Sequence, residues 1–433
     1  MLAQTHAAVS DPNLKFALRV LPALITVLVA AAVCGKVALL LGQPRVVGEM
    51  VAGVLLGPTL FGALWPSAQA EVFPRDVRPI LYVLSTLGLT LYMFLVGAGL
   101  EGETRVRGEI RRAVVLAVSG IVPALLIGGG VGLLLWSGFS LPGVGRWEFA
   151  LFVGGALSLT AFPMLARILY ERGLENSALG RLSLLAASVD DAAVWCLLAI
   201  LTAIHLSSGP GAALRTIGLA AAFIAVMLLV VARPLRLLGR PGALDGAAAM
   251  YLVILVPLVA GWITDWIGVY SVFGGFVAGL AMPRDPEFRR ILHERMMEVV
   301  STLLLPVFFA FSGLNTRLDG ITGGSALVAF LVILAVGFGA KYLGCALSMQ
   351  VMGFSRRESF AVGALMNARG LMILIFINIG LAQGMISQQL FSMFVLVAVL
   401  TTASALPLYR LALPQRHERA AVSIRDYPAE QAA

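Results

Sequence analysis

LSLTAFPMLARIL, residues Leu157 to Leu169, is apolar enough for lipid and yet holds Ser158, Thr160 and Pro163. A proline within a helix removes a backbone donor and collides with the preceding turn, so the helix ends or kinks there. Far down the chain, MNARGLMILIFINIG (Met366 to Gly380) repeats the situation with Asn367, Arg369 and Gly370 inside an apolar run. Unwound backbone is tolerated at membrane depth only where it lines a cavity or packs in protein. Paired interrupted segments in two halves of a chain are the best sequence pointer to a midplane binding site. Freed carbonyls there offer oxygen ligands to a hard cation. Arg369 is placed either to neutralise exposed C-terminal carbonyls or to pair with an acid.

Working outward, the 433 residues are 59% hydrophobic and 12% charged, against about 25% charged in a soluble domain. This is an all-α integral membrane protein whose first partner is the lipid bilayer. A span needs about 20 apolar residues, fewer when broken or tilted. Thirteen candidates meet this: 18–41, 46–63, 79–100, 113–137, 147–170, 177–206, 213–232, 245–264, 267–283, 297–314, 323–352, 358–382 and 387–410. With the N-terminus outside, 21 of the 31 basic residues fall on the inside, the cytoplasmic C-terminal tail included, and 7 outside. That alternating bias sets the orientation. It also accounts for the net charge of +8, so no nucleic-acid partner is expected. Cys34, Cys196 and Cys345 each sit in an apolar run and read as small core residues, not as disulfide partners or metal ligands. No signal peptide is recognised at the N-terminus.

The halves echo each other. MVAGVLLGP (Met50 to Pro58) is matched by FVAGLAMP (Phe276 to Pro283), and FLVGAGLE (Phe94 to Glu101) by FAFSGLNT (Phe309 to Thr316). Spans one to six then repeat as eight to thirteen. An offset of seven makes the copies point opposite ways, the signature of alternating-access transporters. The domain reading is an N-terminal extracytoplasmic tail (1–17), a first repeat (18–206), a linking helix (213–232), a second repeat (245–410) and a short cytoplasmic tail (411–433).

A charge at the bilayer centre costs about 2.5–3.5 kcal/mol even on a lenient scale. AASVDDAAVW (Ala186 to Trp195) places Asp190 and Asp191 there, and GFGAKYLGCALS (Gly337 to Ser348) places Lys341. Neighbours on a helix are rotated by about 100°, so the aspartates do not share a face. One faces a binding cavity while the other meets a partner, and Lys341 is the obvious counter-charge. A carboxylate so placed holds either a proton or a metal cation, but not both well, which is the core of an exchanger. His6, His205, His293 and His417 lie in loops, tails or span ends, and Asp265 and Glu298 at span ends read as solvated. There is no GxxxxGK[ST] and no GxGxxG in a strand–helix setting, so ATP-driven pumping, and enzyme activity generally, are not expected.

Five motifs together carry a resemblance over roughly residues 18–410: VVGEMVAGVLLGPTLFG (46–62), TAFPMLARIL (160–169), SVDDAAVW (188–195), GAKYLGC (339–345) and MNARGLMILIFINIGL (366–381). The chain resembles the monovalent cation/proton antiporter superfamily, in particular the branch of Kef-type bacterial and plant CHX-type exchangers. The resemblance implies about thirteen transmembrane helices in two inverted-topology repeats of six with a linking helix. It also implies a homodimer, two bundles per protomer, and spans five and twelve crossing as broken helices. It makes Asp191 the cation or proton ligand and Asp190 the second carboxylate, ion-paired to Lys341, with Ser158 and Thr160 at the crossing. Pro163, Asn367, Arg369 and Gly370 support the crossing.

Family members with paired aspartates are usually electrogenic. Family members also often carry threonine before the arginine of span twelve and glutamate four residues after it, where this chain has Ala368 and Ile373. The choice between Na⁺ and K⁺ therefore stays open. The expectation is a Na⁺ or K⁺/proton antiporter of the plasma (inner) membrane, with no cofactor beyond the transported ions and no nucleotide-binding domain in this chain. The alternatives are a sodium-coupled symporter or an exporter of an organic solute on the same scaffold, or a channel or non-transporting scaffold.

Overall fold

A computed structural model describes residues 11–99, 107–171, 174, 177–206, 210–239, 247–317 and 323–413. Among these there are helices and turns and no strand. Each of the thirteen apolar stretches carries a helix or a pair of helices. Among the described residues ten helical segments are long and apolar enough to cross a membrane unaided. The other three stretches are the short helix Ser271–Leu280 and the two interrupted ones, Arg146–Ser158 with Phe162–Glu171 and Arg356–Leu365 with Gly370–Ala382. The thirteen candidate stretches thus divide, among the described residues, into ten long segments, one short helix and two pairs broken where the sequence places its helix breakers.

The chain divides into two compact units, each combining part of the first half with part of the second: Met1–Glu101 with Thr216–Arg317, and Gly102–Arg215 with Leu318–Ala433. In the first unit a long–short–long order occurs twice. It runs Pro12–Leu40, Arg45–Leu56, Arg78–Gly99, then Ala247–Ile267, Ser271–Leu280 and the segment Pro286–Leu314. The sequence echo becomes a contact. A Cβ at Gly53 would strike the Phe309 carbonyl, and one at Gly279, the matching residue of the second copy, would strike the carbonyl of the matching Phe94. Small residues let membrane helices approach to backbone contact, which is where such helices gain their packing energy.

Gly53→Ala or Gly279→Ala is expected to cost about 1–3 kcal/mol by overpacking. Gly130→Ala meets nothing within 4 Å and is expected to be neutral or to gain up to about 1 kcal/mol from helix propensity. Equal melting temperatures in detergent for all three would contradict this.

Three sequence expectations are corrected here. The first helix starts at Pro12, with the Asp11 carboxylate accepting from Asn13 N–H at 2.8 Å, so residues 12–17 are not tail. Residues 286–296, read as part of a charged inside loop, are helical. Asp285 caps the helix by accepting from Phe288 N–H at 2.9 Å, and Phe288, Leu292 and Met296 bury one face of it. It runs through a π turn at Val300–Leu304 into Leu305–Leu314, the bulge falling just before Pro306, whose ring cannot sit on a regular turn. Of the cysteines only Cys345 is buried; Cys34 is half-buried and Cys196 exposed. His6, His417 and the arginines at 105, 172, 240, 416, 419 and 425 lie outside the described residues.

The second unit repeats a long–broken–long order. Arg107–Phe139, the first broken pair and Ala178–Leu206 are followed by Gly324–Val351, the second broken pair and Gln388–Ala412. Gly154 sits against the Leu125 carbonyl and Gly132 against Ala150, which seats Arg146–Ser158 tightly on Arg107–Phe139. Gly344 meets the Ser119 carbonyl and Gly120 meets Cys345 Sγ. The latter contacts bring Gly324–Val351 in close at the level of Lys341.

Candidate functional site

The first break follows Ser158. Leu159 is extended, at φ −66° and ψ 138°, and the helix resumes at Phe162 with Pro163 as its second residue. Proline is harmless in a first helical turn, where its missing N–H has no acceptor. The second break lies between Leu365 and Gly370. Gly370 has φ +37°, a left-handed conformation that costs any residue with a Cβ, and Met164 lies where that Cβ would be. The two breaks meet. Ala161 N–H donates to the Ala368 carbonyl at 2.8 Å, and Thr160 Oγ1 donates to the Met366 carbonyl at 2.8 Å.

A helix ending inside the membrane leaves carbonyls without partners and a negative dipole end. Here side chains take them up. Ser158 Oγ donates to the Gly155 carbonyl at 2.9 Å, Arg369 Nη1 donates to the Ala156 carbonyl at 3.1 Å, and Lys341 Nζ donates to the Ser158 carbonyl. Arg369 Nη2 also donates to the Gly337 carbonyl. Of the two roles the sequence left open for Arg369, the carbonyl role is the one seen. At the start of Gly370–Ala382, Gly370 N–H donates to Thr402 Oγ1 at 2.9 Å, and Asn367 Nδ2 donates to the Phe338 carbonyl at 3.2 Å.

The charged groups gather at this crossing. Asp190, Lys341 and Arg369 are 0% exposed and Asp191 is 1% exposed. Lys341 Nζ lies 2.6 Å from Asp190 Oδ2. Among the described residues no well-formed hydrogen bond reaches either carboxylate oxygen of Asp191 or Asp190 Oδ1, although the Phe162 N–H lies beside Asp191 and the Thr160 hydroxyl beside Asp190. The adjacent aspartates thus part company. Asp190 has a buried ammonium in contact with it, while Asp191 has no ion-pair partner among the described residues. An ionised carboxylate without a partner in a dry interior is very costly, so such a group takes up a proton or a cation. Neither aspartate faces outward.

The structure brings together Ser158, Thr160, Asp190, Asp191, Lys341, Asn367, Arg369 and Gly370. Pro163 is placed by backbone position. Sequence reasoning missed Thr402, one hydroxyl in the run LTTASAL. It also missed a cluster at the far end of the aspartate helix, where His205 Nδ1 lies 2.6 Å from Glu148 Oε1 and Nε2 lies 2.8 Å from the Gln383 carbonyl.

A family model described as sodium/hydrogen exchanger, transmembrane, matches residues 24–408. The chain belongs to the sodium/hydrogen exchanger family. It is a multi-pass membrane protein of that transporter family. Among curated proteins it is similar to the Na⁺/H⁺ antiporter NhaS4 of Synechocystis, 38% identical over 84% of this chain and 90% of that protein. It is also similar to cation/H⁺ antiporter 20 of Arabidopsis thaliana, 34% identical over 85% of this chain, although it spans only 45% of that longer relative. Among solved structures it resembles the sodium proton antiporter MjNhaP1 of Methanocaldococcus jannaschii at pH 8. The TM-score is 0.64 at 18% identity, covering 90% of this chain and 96% of that one. At that identity the likeness speaks to fold, an exchanger-type bundle of inverted-topology repeats with broken helices.

Proposed function

We propose that this chain is a secondary active transporter that exchanges Na⁺ or K⁺ for protons by alternating access. The observation that carries the reading is the contrast, at the meeting of two helix breaks, between the ion-paired Asp190 and the buried Asp191, which has no ion-pair partner among the described residues. Proton and alkali cation compete for Asp191, and the ligand it takes on one side is surrendered on the other. Ser158, Thr160 and the unwound carbonyls line the crossing and offer oxygen ligands of the kind a hard cation takes. Pro163, Asn367, Arg369 and Gly370 hold the breaks open.

Swapping one proton for one monovalent cation at Asp191 moves no net charge. If the arriving cation also draws Asp190 away from Lys341, the freed ammonium releases a second proton and the cycle becomes electrogenic. The names of the relatives support cation/proton exchange as the chemistry. We further propose a homodimer in the plasma (inner) membrane, the N-terminus outside and the C-terminus cytoplasmic as the basic residues indicate. It is not an enzyme and needs no cofactor beyond the ions carried.

The test is purified protein in proteoliposomes with a cation panel and a clamped potential. Competition predicts that the apparent KM for the preferred cation rises about tenfold per unit fall in pH once Asp191 is mostly protonated. Asp190→Asn is expected to keep measurable exchange while losing its charge movement. Flux insensitive to pH, or uptake of an organic solute driven by Na⁺, would defeat the reading.

A further inference from the structure

The bond group at His205 sits at the opposite end of the elements that build the site. Asp191 and His205 are on one helix, Ala178–Leu206, and 14 residues of helix separate them by about 21 Å. Glu148 is in the first turn of Arg146–Ser158, whose last residues hold Lys341 and Arg369. Gln383 is the C-cap of Gly370–Ala382, whose first residue is gripped by Thr402. Three helices that converge on the aspartates are therefore joined again, at their far ends, through one imidazole.

The ring's partners fix its proton content. The Gln383 carbonyl can only accept, so Nε2 carries a hydrogen. That leaves Nδ1 facing a carboxylate oxygen at 2.6 Å, a contact that needs a second proton, whether on the ring or on Glu148. The side chains are only 19% and 10% exposed, so water does not substitute readily. The other oxygen of Glu148 accepts from Gly145 N–H at 3.3 Å, which fixes the carboxylate to its helix start.

The remaining charged group that these elements bring to this end is Arg146, which is exposed. Residues 132–139 of the Arg107–Phe139 helix and residues 383–389, running into the last helix, carry none. The charged residues Glu109, Arg111 and Arg112 begin Arg107–Phe139 and Arg356, Arg357 and Glu358 begin Arg356–Leu365, at the other ends of those elements. Glu171 closes Phe162–Glu171. Glu109 pairs with Arg181, in the first turn of the aspartate helix.

We propose that Glu148 and His205 share one exchangeable proton that fastens the far ends of these three helices, and that the exchange site answers to pH on that face through this bond. This rests on the exchange reading above. His205 and Glu148 are positioning residues and touch no transported ion. The bond exists while the shared proton is held and is lost as pH on that face rises. Losing it releases the start of Arg146–Ser158 while Nε2 still donates to the Gln383 carbonyl, and the freed helix no longer holds its last carbonyls, those of Ala156 and Ser158, in place at the crossing.

The test varies pH on the His205 face alone in proteoliposomes and follows tracer cation flux for the native protein, His205→Gln, Glu148→Gln and the double variant. At acid pH each variant is expected to show kcat/KM reduced about tenfold, the weight of one charge-assisted bond. At alkaline pH they converge on the native value, and the double variant falls no further than either single one. A His205→Gln curve parallel to the native one at every pH, or additive losses in the double variant, would overturn the proposal.

Amide hydrogen exchange of segment 145–149 is measured on the same proteins without ions, native against His205→Gln at each pH. Extra protection in the native protein at acid pH only is the expected result, and equal protection throughout refutes the tether. Because this readout does not depend on transport, a protein that shows the protection but carries no cation would sink the exchange reading and leave the tether standing.

Discussion

Asp191→Asn is expected to lower cation-driven proton movement by more than about a hundredfold while making the folded protein more stable. The amide keeps the shape of the side chain and removes the charge that must alternate between proton and metal. An ionised carboxylate with two buried oxygens and no ion-pair partner among the described residues is a cost to folding that the neutral isostere avoids. Even a buried ion pair can be replaced by apolar residues without loss, or with a gain of about 1–4 kcal/mol, so neutralising a poorly compensated single charge should not destabilise the fold. Stability sacrificed for activity at a working site is a general pattern. Everted vesicles bearing the variant should hold an imposed pH gradient when Na⁺, K⁺ or Li⁺ is added, and its melting temperature in detergent should rise or stay level. Normal dissipation of the gradient would remove Asp191 from the mechanism. Lost activity with a large fall in melting temperature would mean that Asp191 is structural.

The opposite stability response is expected at Lys341. Lys341→Met leaves the Asp190 carboxylate buried without its ammonium and the Ser158 carbonyl without its donor. Breaking a buried pair from one side typically costs about 3–5 kcal/mol, chiefly through the charge left behind. Asp190→Asn added to Lys341→Met removes that charge and should recover about half of the loss or more. The two changes are then non-additive, as contact partners should be. Thermal melts of the native protein, both single variants and the double one form the cycle. A double variant as unstable as the sum of the singles would show that the pair does not couple. Exchange is expected to be impaired in Lys341→Met and in the double variant, because the ammonium that meets Asp190 and the Ser158 carbonyl is gone.

The residues that meet at the crossing stand out in the sequence more sharply than the helix boundaries around them, for a physical reason. Ionisable residues and helix breakers are rare in lipid because they are expensive there, so Asp190, Asp191, Lys341, Arg369, Pro163 and Gly370 stand out against their neighbours without any knowledge of contacts. Hydropathy reports what lipid tolerates and not where a helix stops. By hydropathy the charged residues 286–296 are a loop, although the spacing of Phe288, Leu292 and Met296 is a helical signal. Cys196 looked like core because an apolar run says nothing of which face is buried. The repeat was visible as two short echoes, but nothing local foretold that each compact unit would draw from both halves. Thr402 and the Glu148–His205–Gln383 group were missed because their partners lie far apart in sequence, 57 and 178 residues from His205 in the second case.

The ion pair at the crossing also constrains how the polypeptide can be made. Asp190 emerges from the ribosome about 150 residues ahead of Lys341, and the terminal carbonyls of Arg146–Ser158 wait still longer for Arg369. Until those later segments arrive, the early ones hold acid and bare backbone with nothing to answer them. Insertion must therefore keep the first half near the translocation machinery, or keep its carboxyls neutral, until the second half is synthesised.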